Sequence, residues 1–159
     1  MNRPAVTVST AISAPAVRIW ELVSDIGVMP RLSDELRSVE WVDGDGPRLG
    51  ARFRGTNSHP AIGLWTTESV VVECDPPRVF AWAVGDPDRP AATWRFEVVP
   101  VGEAAQLRYT AEIGPGRSGV SMLIERAPQR REAIIANRLG QFDRAMTATI
   151  AGIKALAES

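Results

Sequence analysis

Residues 6–13 alternate strictly, with Val6, Val8, Thr10 and Ile12 on one parity and Thr7, Ser9, Ala11 and Ser13 on the other. A repeat of two sends successive side chains to opposite faces, so this stretch predicts a strand with one buried face. Ser13-Ala14-Pro15 then offers a capping side chain and an early proline, and Ala16, Ile19, Trp20 and Val23 recur at helical spacing. That predicts a short helix ending near Asp25-Ile26-Gly27. Met29 and Leu32, three apart around Pro30, predict a further helical turn or two within 28–35. Beyond it the chain reads as strands at 36–42, 50–57, 64–74, 79–84, 93–99 and 106–113, each rich in β-forming residues and bounded by turn formers. The links 43–47, 58–63, 75–77, 85–90 and 101–103 are short, as antiparallel hairpins require.

After residue 117 the period changes. Ile135, Leu139, Phe142, Met146, Ile150, Ile153 and Ala157 are spaced by threes and fours, which keeps them on one helix face, while Arg130, Arg131, Arg138, Arg144, Lys154 and Glu158 fall mostly away from it. Residues 118–157 therefore read as one long amphipathic helix broken near Pro128, which lacks an amide hydrogen and restricts Ala127. The main helix is expected to start with Pro128 in its first turn, leaving 118–126 as a short offset segment. From Pro128 to Ala157 it would span roughly 45 Å. A helix this long needs a large apolar surface to lie against.

The strands supply that surface. Arg52 and Arg54 belong outside, which turns Ala51, Phe53, Gly55 and Asn57 inward. By the same parity Trp94, Phe96 and Val98 point in, as do Leu107, Tyr109, Ala111 and Ile113, and less decisively Phe80, Trp82 and Val84. After Leu64 either Trp65, Thr67, Ser69 and Val71 or Glu68, Val70 and Val72 face in; the Trp65 set is preferred because burying an unpaired Glu68 is costly. A sheet with one wet and one apolar face, followed by a helix with one apolar stripe, predicts an α+β fold. In it a curved antiparallel seven-stranded sheet wraps around the C-terminal helix, in the order β-α-α-β6-α, as a single domain over 1–159.

Composition narrows the function. With 159 residues, 45% hydrophobic, the chain suits one substantial core. A net charge of -1 and a pI near 5.9 supply no positive field for a phosphate backbone, so no nucleic-acid partner is expected. Cys74 is the one cysteine, the stretch after Met1-Asn2-Arg3-Pro4 carries no leader-type apolar run, and no apolar stretch is long enough to span a membrane. A cytoplasmic protein without membrane insertion, monomeric or homodimeric, is the expectation.

Chemistry-bearing residues are few. His59 is the only histidine and so the only side chain that ordinarily titrates near neutrality, and Tyr109 is the only tyrosine, predicted inward where its hydroxyl needs a partner. These two are the candidate catalytic residues. One His and one Cys cannot close a zinc site, and no phosphate loop or nucleophile elbow is present, so neither a metal nor a cofactor is expected. Hairpin parity places the links 56–63, 85–90 and 113–119 at one end of the sheet, gathering Asn57, His59, Asp86, Asp88, Arg89 and Arg117 at the expected mouth of any cavity.

Several stretches together resemble the helix-grip fold of START-like and Bet v 1-like proteins, and within it the bacterial polyketide cyclase/dehydratase and lipid-transport (SRPBCC) group. They are Ile12-Ser13-Ala14-Pro15 with 17–23, the Trp65 strand, Asp75-Pro76-Pro77-Arg78-Val79-Phe80-Ala81-Trp82, Trp94-Arg95-Phe96-Glu97, and the ending 150–158. The resemblance implies a cavity between sheet and helix holding a hydrophobic small molecule, polyketide-, aromatic- or lipid-like, as the partner of a carrier or as the substrate of a cyclase/dehydratase. Its lining would be Phe53, Asn57, Trp65, Thr67, Ser69, Trp82, Trp94, Phe96 and Tyr109 from the sheet and Leu139 and Phe142 from the helix. Cyclases of this fold place an arginine beside such hydroxyl and aromatic side chains. Here Val71 follows Ser69 on that face.

Overall fold

The computed structural model describes residues 3–44, 46–60 and 63–159. The start of the chain at Met1 and Asn2, the turn position Asp45, and Ala61 and Ile62 in the 58–63 link lie outside the described residues. Strand β1 (Ala5–Ile12) leads into α1 (Ala16–Val23), a 3-10 turn (Ile26–Val28) and α2 (Met29–Leu32). Six strands follow: β2 (Leu36–Asp43), β3 (Arg52–His59), β4 (Gly63–Asp75), β5 (Val79–Asp86), β6 (Arg89–Val101) and β7 (Ala104–Ile113). The chain ends in α3 (Gly119–Arg126), a second 3-10 turn (Pro128–Arg130) and α4 (Arg131–Glu158). The helical region breaks at Pro128 as the sequence predicts, but the proline opens a 3-10 turn rather than the first turn of the long helix.

All seven strands form one curved antiparallel sheet in the order β1-β7-β6-β5-β4-β3-β2. Strands β5 to β7 run past their predicted ends. The Gly85 to Pro90 stretch, rich in turn formers, is mostly strand: Gly85 pairs with Pro90 and Asp86 with Arg89, leaving only Pro87 and Asp88 in the turn. A register shift after Val84 and the left-handed Gly85 (φ +83°) make that tight hairpin possible.

The two sheet faces differ in kind. On the convex face Arg54 pairs with Glu68 at 3.2 Å, Arg95 with Glu73 at 3.0 Å, Arg108 with Glu97 at 3.4 Å and Arg3 with Glu112 at 3.5 Å. Glu73, Ala81 and Arg95 share one cross-strand row, so the Arg95–Glu73 pair bridges over Ala81 and leaves it buried although it faces outward. Exposed pairs of this kind add little stability individually. Their effect here is to keep charge on one side.

The concave face is covered by α4, which buries Ile135, Phe142, Met146, Ile150, Ile153 and Ala157, with Leu139 partly buried beside them. Each large side chain so buried contributes on the order of 1.5–3 kcal/mol. The last turn of α4 is clasped to the end of β1: Lys154 Nζ donates to the Ala11 carbonyl at 2.7 Å and to Glu158 at 2.7 Å, and Glu158 accepts the Ser13 amide at 2.8 Å. The hydrogen bond from Lys154 first, then that from Ser13, holds the Glu158 carboxyl below its usual pKa.

At the opposite end, the link from β7 to α3 is fastened to β6. The amides of Gly114 and Gly116 donate to the carbonyls of Ala91 (3.0 Å) and Pro90 (2.9 Å). A Cβ at Gly116 would strike the Arg89 carbonyl oxygen, whereas one at Gly119 meets nothing within 4 Å. Gly116→Ala is therefore expected to cost roughly 1–3 kcal/mol by forcing two backbones apart, while Gly119→Ala leaves stability unchanged or slightly raised. Urea denaturation of the two variants checks this; equal losses would refute it.

Candidate functional site

Alternation resolves the ambiguous strand in favour of the Trp65 set: Ser69 and Val71 are buried and Trp65 and Thr67 half-buried, with Glu68 exposed. Together with β3, β5, β6 and β7 this gives a concave face that divides along its length. Toward the β4–β5 and β6–β7 hairpins it is filled by rings. Phe96 stacks on Tyr109 with centroids 3.9 Å apart, Trp82 meets Phe53 (5.9 Å), Phe80 (5.7 Å) and Phe96 (6.0 Å), and Trp94 meets Tyr109 (5.8 Å) and Phe142 of α4 (4.8 Å). Phe53, Trp82 and Phe96, predicted as cavity wall, are thus packed against one another as core.

Toward the β3–β4 and β5–β6 hairpins and the start of α3 the same face carries small side chains. One cross-strand row holds Ile113, Ala92, Val84, Ser69 and Phe53, and the next positions outward are Thr67 beside Gly55, then Trp65 beside Asn57 and Leu36. Val84, Ala92, Thr67, Trp65 and Asn57 are all only half-buried. Leu139 of α4 and Val120 and Ile124 of α3, also half-buried, pack against the core. These small and half-exposed residues lie outward of the aromatic cluster, as the candidate wall of an outer groove. It lies at the end where hairpin parity put the mouth.

The polar atoms of this face set it apart from an ordinary core. Among the described residues, the side chains of Asn57, Thr67, Ser69, Trp82, Trp94 and Tyr109 make no hydrogen bond, yet no buried side-chain nitrogen or oxygen is sealed away without a partner. Their polar atoms therefore border accessible space rather than solid protein. Burial alone raises the Tyr109 pKa strongly, so its hydroxyl stays neutral and acts as a hydrogen-bond donor across the physiological range. It cannot serve as a phenolate base.

His59 does not join it. His59 pairs with Gly63 at the start of β4, whereas Tyr109 lies in the row of Phe96, Phe80 and Cys74, so nearly the whole length of β4 separates them. The two candidate catalytic residues thus lie far apart along the sheet, a separation set by the strand register. On α4, Arg138 lies over the Phe142 ring, its guanidinium 4.6 Å from the centroid and donating to Gln141 at 2.7 Å. Leu36, Ala92, Val120 and Ile124 escaped the sequence reading; the spacing of Val120 and Ile124, four apart on a helix, was the available signal.

Two clefts open elsewhere, one of about 340 Å3 lined by residues including Trp20, Asp25 and Trp41, the other of about 650 Å3 between Ser13-Ala14-Pro15 and Val101 to Ala104. Among the described residues no three His, Cys, Asp or Glu side chains cluster as metal ligands, and no helix is long and apolar enough to cross a membrane.

Comparison with known proteins adds to this geometry. Residues 3–158 match the family model described as polyketide cyclase/dehydrase and lipid transport. The solved structure of a polyketide-cyclase-like protein from Corynebacterium glutamicum is 26% identical with a TM-score of 0.71, the match covering 98% of this chain and 91% of that one. The Zhui aromatase/cyclase from a Streptomyces species is 19% identical with a TM-score of 0.68, covering 97% and 93%. The di-domain aromatase/cyclase BexL is 20% identical with a TM-score of 0.66, covering 98% of this chain and 50% of that one. Among curated proteins no sequence matches. The last two likenesses establish the fold alone.

The single tyrosine makes its burial measurable. Native protein is expected to show no tyrosinate absorbance near pH 10, where an unfolded tyrosine ionises, and to show it on denaturation. Because the folded pKa is the raised one, the linked stability is complete below pH 10 and is lost as pH climbs above it. Tyr109→Phe should remove that alkaline loss. Native ionisation with an ordinary midpoint would mean the hydroxyl is solvated.

Proposed function

We propose, from the premise that this chain belongs to the polyketide cyclase/dehydrase and lipid-transport family, that it binds a hydrophobic, ring-containing small molecule in the outer groove and carries or sequesters it. The observation that carries this reading is the set of concave-face polar atoms without protein partners, bordering accessible space above an aromatic floor. Leaving such groups unpaired costs about 1–3 kcal/mol each when nothing solvates them. A ligand whose carbonyl or hydroxyl oxygens meet Tyr109, Ser69 or Thr67 supplies the partners. Its rings stack on Trp94 and against Leu139, which accounts for affinity without charge.

The family description also couples this fold to cyclase and dehydrase chemistry, which supports a second reading as an enzyme on a poly-ketone-like substrate. In that case Tyr109 acts as a neutral donor to a carbonyl oxygen that becomes an enolate. Val71, buried where an arginine would steady that enolate, and the distance of His59 from Tyr109 favour the carrier.

Native mass spectrometry of protein purified gently from its producing cells tests binding, followed by denaturation to identify what is released. A retained apolar molecule is expected, unchanged after incubation if the protein is a carrier and converted if it is an enzyme. Tyr109→Phe should then weaken retention roughly two- to tenfold, the value of one neutral hydrogen bond. Loss of turnover far beyond that figure would favour the enzyme. No affinity change would remove Tyr109 from the site.

A further inference from the structure

We infer that the groove selects uncharged aromatic molecules bearing hydroxyl or carbonyl groups, and rejects the same ring systems when they carry a carboxylate, sulfonate or phosphate. This rests on the ligand-binding reading above and goes beyond it by assigning the charge class of the ligand. Among the described residues, the inward strand positions of β3 to β7 below the rim hold apolar or neutral polar side chains, while His59, Asp86 and Arg89 stand at the rim.

The convex-face arginines are committed there, Arg89 at the rim donates to the Pro115 carbonyl, and Arg117 stands in the link beyond it. Arg52 and Arg54 engage Glu68, Arg95 engages Glu73 and Glu97, and Arg108 engages Glu97, all on the convex face. Their strand parity would have to reverse before any of them reached the groove. On α4 the buried stripe carries no charge, and Arg138 at its margin is spread over the Phe142 ring and bonded to Gln141.

An anion passing below the rim would thus give up its water for hydroxyls, an amide and indole N–H groups, with no cation among the inward strand positions to balance it. Burying a charge unpaired is far more costly than burying a hydrogen-bonded neutral group. The neutral donors are sufficient for a carbonyl or phenol oxygen. For a carboxylate they are not.

The test uses the neutral dye N-phenyl-1-naphthylamine, whose fluorescence rises in an apolar site, and two competitors at neutral pH: 2-naphthol, which is uncharged, and 2-naphthoate, which is anionic. Full-length protein is expected to bind the dye, and naphthol to displace it at a concentration more than about tenfold lower than naphthoate, following from the cost of the unpaired charge. Displacement by both within about tenfold would overturn the charge selection while leaving the ligand site in place. Failure of the dye to bind would overturn the ligand site and the selection with it. Arg138→Gln separates the remaining case: naphthoate that displaces the dye from the wild type but not from this variant would show an anion held at the rim, and the selection would fall.

Discussion

The structure depends on keeping charge on one side of a sheet. Seven strands with arginines and glutamates on one parity and apolar or neutral residues on the other cannot leave the second face in water, and only a long helix can cover it. The apolar stripe of α4 meets that requirement over about six turns, from Ile135 to Ala157. The convex ion pairs and the concave aromatic cluster follow from one alternation, read on opposite faces.

Within that arrangement the concave face is divided between large interlocked rings and smaller, half-exposed residues. Phe80, Phe96, Leu107 and Ile12, at most 1% exposed, form the closed end, where side chains interdigitate fully. Toward the other end stand the smaller Gly55, Thr67, Ser69, Val84 and Ala92, where the hydroxyls of Thr67 and Ser69 lack protein partners.

Much of this was legible in the residues. Period-2 alternation gave the strands and their faces, the cost of burying Glu68 chose the right face for β4, and the Ile135 to Ala157 stripe gave α4. Parity of antiparallel hairpins placed the 85–90 and 113–119 links at one end of the sheet, as the bonds from Gly114 and Gly116 to the start of β6 make plain. What could not be read was depth. Alternation says that Phe53, Trp82, Phe96 and Tyr109 face inward, but whether rings touch each other or a ligand depends on register and curvature, which are long-range. Local composition also misled: Gly85 and Pro90 look like loop and are paired strand, because the neighbouring strands decide.

The clasp between Lys154, Glu158 and the end of β1 joins residues more than 140 positions apart, and this order of assembly matters during synthesis. The sheet precedes its cover along the chain. At roughly 5–20 residues per second, the ribosome leaves a completed strand set without α4 for several seconds, with its aromatic face open to anything apolar nearby. The nascent chain during that interval exposes apolar surface and unpaired strand edges of the kind that aggregate. It is also a state in which a hydrophobic ligand already present could be enclosed as the last helix folds down.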